Sequence, residues 1–198
     1  MKMQKSLLAV CVMSALTSTY ALAEEPQQTE QVIERLKITG EKQEGYKSSS
    51  AEGATKLGLT IKETPQSITV INQQQIKDFG LNDINSVLNS ASAVNVENVE
   101  TDRIYYTSRG FELNNFQIDG LGLPLVNSNT HGRIDTALYE RVEVIHGANG
   151  IMTGVGSPAA TVNMVRKRPT SETQISVEGS LGSWSSKRLE IDASGKLS

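Results

Sequence analysis

Residues 140–169 read ERVEVIHGANGIMTGVGSPAATVNMVRKRP, and the fold turns on how they are taken. Arg141-Val142-Glu143-Val144-Ile145 alternates valine with charge, the pattern of a strand. Gly147, Gly150, Gly154 and Gly156 stud the loop that follows, where the backbone can turn through positive φ. Ala160-Thr161-Val162-Asn163-Met164-Val165 reads as a second strand. Arg166-Lys167-Arg168-Pro169 stops it, because proline has no amide hydrogen to give a sheet. Pattern alone makes this a strand–loop–strand unit of a small α+β domain.

Upstream, a proline opens a run of alternating β-branched residues in Thr64-Pro65-Gln66-Ser67-Ile68-Thr69-Val70-Ile71, which predicts a strand. Asn72 is placed to cap a helix over residues 73–78, with Gly80 to end it. Asn82 is placed to cap a second helix, in which Ile84, Val87, Leu88 and Ala91 share one apolar face. Residues 94–99 and 103–109 read as strands, as do 115–120, which close in an Asp119-Gly120 turn. Residues 132–139 read as a helical turn or two. Short strands with two helices over residues 59–168 predict an α+β domain built on a small mixed sheet.

After Pro169 the pattern changes. Ile175, Val177 and Leu181, then Leu189, Ile191 and Ala193, alternate with polar residues on either side of Gly182-Ser183-Trp184-Ser185-Ser186. This predicts a hairpin over residues 169–198, open to two readings. One is transmembrane β-strands with a tryptophan near the interface; the other is a soluble amphipathic hairpin.

The N-terminus reads as an export signal. Lys2 and Lys5 precede an apolar run over residues 7–16, too short to span a bilayer, and Ala21-Leu22-Ala23 is a small-x-small cleavage site. Cleavage after Ala23 would remove both lysines and take the formal net charge from −3 to −5, and Cys11, the only cysteine, would leave with them. Residues 24–58 read as a flexible segment, with linker composition over 41–58. Within it, Leu36 and Ile38 alternate with polar residues for a few positions. That piece is either an edge strand of the domain or an extended peptide offered to a partner's sheet edge.

The chemistry-bearing motifs argue against an enzyme. The glycine loop lacks the Gly-Lys-Ser/Thr ending of a phosphate-binding loop and the spacing of a dinucleotide fingerprint. His131 and His146, the only histidines, have no helical spacing and no cysteine partners, so neither a metal site nor a cofactor is expected. Neither a nucleophile elbow nor a marked carboxylate pair can be nominated. An acidic chain without a basic aromatic stripe excludes nucleic acid.

Taken in order, the ERVEV strand, glycine loop, small residues and Val162-Asn163-Met164-Val165-x-Lys167-x-Pro169 resemble the end of the plug domain of TonB-dependent outer-membrane receptors. Tyr105-Tyr106-Thr107-Ser108-Arg109-Gly110-Phe111, followed by Asn115-Phe116-Gln117-Ile118-Asp119-Gly120, resembles the plug of siderophore receptors, nearest the coprogen and rhodotorulic acid (hydroxamate) branch. The resemblance implies a plug at residues 59–168 and the first strands of an incomplete antiparallel barrel at 169–198. It implies import of a ferric siderophore across the outer membrane and a periplasmic TonB energy-transducing partner. It places the TonB box at Glu34, Arg35, Leu36, Lys37, Ile38, Thr39 and Gly40. It assigns Arg109 to the ferric chelate, with Tyr105 and Tyr106 adding hydrogen bonds or packing; an arginine fork suits an oxygen-rich ligand shell.

Two residues depart from the family pattern. His146 stands where arginine is usual, and Ala159-Ala160-Thr161 where a Gly-Gly pair is usual; residues 121–130 match poorly. Such receptors have 22 strands, and this chain ends on Gly195-Lys196-Leu197-Ser198 without a terminal aromatic. The resemblance therefore implies the N-terminal part of a longer protein, without a separate signalling domain, that would not transport alone. The competing expectations are a self-contained periplasmic plug-like binding or adaptor protein and, more remotely, a secreted enzyme.

Overall fold

The computed structural model describes residues 45–48, 50–51, 53–55, 57, 59–123, 130–154 and 157–196. The proposed signal peptide and the proposed TonB box lie outside the described residues.

A five-stranded mixed sheet forms the centre. β1 (Ser67–Asn72), β8 (Tyr139–His146), β9 (Ala160–Arg166), β5 (Asn115–Ile118) and β6 (Leu121–Leu123) lie side by side in that order. Only β5–β9 is parallel; the other three pairings are antiparallel. The opening stretch thus supplies two of the three inner strands of the sheet. Its alternation does not mark a wet face, because every residue of β8 except Glu140 is buried. One face carries Ile71, Val142, Val144, Val162, Met164 and Phe116 into the core; Arg141 and Glu143 lie on the other.

Two helices close the apolar face. α1 (Gln73–Asp78) starts at Asn72, whose side chain accepts from the Gln75 amide while the Gln75 side chain returns the bond. Gly80 sits beyond its C-cap at φ 61. α2 (Ile84–Ser90) buries Ile84, Val87 and Leu88, with Ala91 just beyond, as the i, i+3, i+4, i+7 spacing requires. Its cap is Asp83, which accepts from the Ser86 amide at 2.9 Å, and not Asn82 one residue earlier. Residues 132–139 form no helix. Asp135 bridges to Asp83, and the Ile84 amide donates to Ile134, so the segment is spent on fixing the start of α2.

A second sheet sets β2 (Asn95–Asn98), β3 (Arg103–Ser108) and β4 (Phe111–Glu112) in order, with β7 (Thr130–His131) also on β3. Tyr106 of β3 packs on Phe116 of β5, ring centroids 5.1 Å apart, and so joins the two sheets. A one-turn helix, α3 (Gly150–Thr153), sits in the glycine loop.

The linker reading of residues 41–58 fails for the part that is described. Gly45 and Tyr46 bond α1 through Gln74, Asn72 and Asp78. Ala51 and Ala54 are buried, and Ser50 bridges to Thr60. The segment straps the polar face of the sheet with small residues and backbone, which leaves no hydrophobic period to read.

β10 (Gln174–Leu181) and β11 (Lys187–Ser194) form the expected antiparallel hairpin. Ile175, Val177, Leu189 and Ile191 point outward and are exposed. The other face turns to the domain that precedes it. Lys167 Nζ donates to Asp192 Oδ2 at 2.6 Å, and the Arg188 guanidinium meets the Asp135 carboxylate. Among the described residues no helix is long and apolar enough to cross a membrane, which says nothing of strands.

Candidate functional site

Arg109 and Gly110 form the two-residue turn between β3 and β4, Ser108 pairing with Phe111. Both φ angles are positive, 52° and 82°, as a tight β-hairpin requires. Arginine is a costly choice there, since a Cβ at positive φ crowds the backbone by roughly 1 kcal/mol or more. Asp119-Gly120 makes the same kind of turn between β5 and β6 with the residues that suit it. The Arg109 side chain is exposed at the apex of its turn.

Tyr105 and Tyr106 part company. Successive strand residues face opposite ways, and β3 alternates partly exposed and buried along its length. Tyr105 lies on the open side. Tyr106 is 1% exposed, its hydroxyl donates to Asn85 Oδ1, and Thr130 Oγ1 lies 2.7 Å away. Tyr106 is thus a core residue that ties β3 to α2 and β7, which removes it from the ligand set. The structure keeps Arg109 and Tyr105 accessible and shows no group that brings them together.

His146 ends β8 with its ring largely buried. Its Nε2 lies 3.0 Å from Thr69 Oγ1, and Nδ1 has no partner among the described residues. Burial, and next the charge of Arg109, hold the imidazole below its ordinary value. A neutral histidine therefore occupies the position where the family pattern has a cation.

The feature that sequence reasoning missed lies on the polar face. Glu143 is fully buried and accepts from Arg141 Nε at 2.8 Å, Asn163 Nδ2 at 3.1 Å and the Gly53 amide at 2.7 Å. Asn163 Oδ1 in turn accepts from the Gly120 amide, and Asn149 Nδ2 donates to the Gly53 carbonyl. Gly53 fits because it has no side chain: a Cβ there would lie 2.6 Å from Glu143 Oε2. The only signal in the sequence is a charge on each side of Val142, which equally fits a solvated strand.

Among the described residues no cluster of three or more His, Cys, Asp or Glu side chains could hold a metal ion. A hollow between residues 137–172 and the hairpin has neither Arg109 nor Tyr105 in its lining, so it carries no part of this site.

The sequence pattern of the TonB-dependent Receptor Plug Domain matches residues 60–161, and the chain belongs to that family. The ferripyoverdine receptor of Pseudomonas aeruginosa is 46% identical over 155 residues, 77% of this chain and 19% of that protein. The ferrioxamine B receptor of Salmonella typhimurium is 28% identical over 152 residues, 73% of this chain and 22% of that protein. Among solved structures, the Pseudomonas aeruginosa ferripyoverdine receptor bound to ferripyoverdine superposes with a TM-score of 0.73 at 45% identity, covering 77% of this chain and 21% of that one. The alcaligin outer-membrane receptor of Bordetella pertussis gives 0.68 at 40%, covering 75% and 26%. The chain spans about a fifth of the length of the curated relatives it matches.

Proposed function

We propose that this chain is the N-terminal part of an outer-membrane receptor that imports a ferric siderophore into the periplasm. The observation that carries the reading is the plug match over residues 60–161, together with relatives named as receptors for ferric chelates. In this reading residues 1–23 direct export and are removed, and 24–58 face the periplasm. Residues 59–168 close the barrel, and 169–198 begin its wall. The outward Ile175, Val177, Leu189 and Ile191 support the last assignment, since a free periplasmic adaptor would leave them facing water.

Arg109 is the residue on which the chelate would rest, with Tyr105 beside it. An exposed cation held at a costly φ fits a functional rather than a structural choice. Glu34, Arg35, Leu36, Lys37, Ile38, Thr39 and Gly40 would pair with the TonB energy-transducing protein. The cargo arrives with its iron already wrapped in ligand oxygens, so the plug has to recognise a chelate rather than ligate a metal. The relatives reported above are named for pyoverdine, ferrioxamine B and alcaligin, and a hydroxamate chelate is the finer form of the proposal.

The test is binding and energised uptake of a panel of ferric hydroxamate, catecholate and mixed chelates by cells that carry the intact protein. Arg109→Ala should weaken binding, and deletion of residues 34–40 should abolish uptake while surface binding persists. Unchanged affinity in Arg109→Ala would end the arginine assignment; binding of no ferric chelate would end the receptor reading.

A further inference from the structure

The hairpin is joined to the plug by charge. All residues of β10 and β11 are exposed or half-buried, and neither strand adds to the core. β11 instead sets Arg188, Glu190 and Asp192 along its inner face, two residues apart. Each finds a partner on the plug. The Arg188 guanidinium meets the Asp135 carboxylate, and Lys167 Nζ donates to Glu190 Oε1 at 3.4 Å and to Asp192 Oδ2 at 2.6 Å. From β10, Glu178 Oε2 lies 4.0 Å from Lys77 Nζ on α1.

Within the hairpin, two features work against it. Glu178 and Glu190 stand directly opposite each other across the strands, a like-charge pair that opposes pairing. The turn holds Trp184 and Ser185 at φ 59° and 60°, where a side chain strains the backbone. A two-stranded hairpin is marginal in water even without such handicaps. The plug surface supplies the missing counter-charge: Lys77 and Lys167 line one small hollow together with Glu178 and Glu190. The same contacts decide which face of the hairpin turns outward. Docked the other way, it would press Ile175, Val177, Leu189 and Ile191 against Lys77, Lys167 and Asp135 and strip those charges of water with nothing in return.

We propose that the plug is the template for this hairpin: the plug folds first, and Lys77, Lys167 and Asp135 then draw β10 and β11 together with the apolar face outward. The hairpin is a defined pair of strands only while it is docked. The inference uses contacts within this chain alone, so it stands or falls apart from the receptor reading.

The test uses the whole chain, in buffer without lipid or detergent, with Lys77→Met and Lys167→Met combined. Hydrogen exchange is read on peptides covering β10 and β11, with β8 and β9 reporting on the plug. The expected result is hairpin protection lowered about ten-fold or more, as the loss of a charge-assisted bond implies, with β8 and β9 within about two-fold of wild type. Adding Glu178→Gln and Glu190→Gln relieves the like-charge pair and should recover about three-fold or more of that loss. Unchanged hairpin protection in the lysine variant overturns the proposal, because the hairpin would then stand by itself. A loss that spreads to β8 and β9 overturns it, because the lysines would then be holding the plug. An absence of recovery with the two glutamines overturns it, because the lysines would then act by packing and not by charge. A hairpin already unprotected in the wild type overturns it as well.

Discussion

Gly53→Ala isolates the grip of the strap on the sheet. Gly53 does not have positive φ, so alanine brings no backbone strain and acts through space alone. Its Cβ would sit 2.6 Å from Glu143 Oε2 and 3.0 Å from both Cβ and Nδ2 of Asn163, where ordinary contact begins at 3.4 Å. The carboxylate has little freedom to yield, since Arg141 and Asn163 both hold it. The strap should move instead. It would then lose a hydrogen bond to a charged acceptor, worth about 1.5–3 kcal/mol, and the Asn149 bond, worth about 0.5–1.5 kcal/mol. A total of roughly 2–4 kcal/mol corresponds to a fall in protection of about a hundred-fold, give or take a factor of ten. Hydrogen exchange read on peptides covering Gly53, Ala54 and Thr55 measures this directly, with β8 as the internal control. Glu143→Asp withdraws the carboxylate by one methylene, and the double variant should recover part of the loss. Protection in Gly53→Ala within about three-fold of wild type would refute the reasoning: the carboxylate would have swung aside, and would not be the anchor.

Tyr106→Phe should cost about 1–3 kcal/mol, read by chemical denaturation, because Asn85 and Thr130 lose their buried partner, while chelate affinity stays the same. Arg109→Asn should do the opposite, since asparagine tolerates positive φ: a gain of up to about 1 kcal/mol in stability and roughly ten-fold weaker chelate binding by titration calorimetry. His146 makes stability depend on pH. The unfolded imidazole takes a proton as pH falls through 6.5, the folded one only at lower pH, so its contribution is complete above 6.5 and is lost on acidification. His146→Gln should flatten that slope between pH 7.5 and 5.5, read as denaturation midpoints.

The elements that sequence disclosed are those whose signal is local. The Asn72 cap, the apolar spacing of α2, the Asp119-Gly120 turn and the β10–β11 alternation each need only a few neighbours to be read. What escaped depends on partners far along the chain. Asp83 and Asn82 are equally good caps by chemistry, and the choice is made by the bridge from Asp83 to Asp135. Residues 132–139 look helical until that bridge claims them. Tyr105 and Tyr106 must face opposite ways, but the residues alone do not say which one meets Phe116. Arg141 and Glu143 look solvated because charge usually is; a buried pair with an amide and a carboxamide satisfying the remaining lone pairs leaves no local mark. Residues 41–58 look like a linker because the described part holds the domain through glycine backbone groups, one tyrosine hydroxyl and two alanine methyls.

The span between Gly53 and its anchors sets an order of assembly. Glu143 lies 90 residues further along and Asn149 96. At synthesis rates of about 5–20 residues per second, the first contact has nothing to close on for roughly 5–20 s. On the receptor reading, export would run in the same direction, and Gly53 would emerge ahead of the strands that shelter it. The small, polar composition around it then has a second use: a stretch that must wait in the open, uncommitted, is safest when it carries little for another chain to stick to.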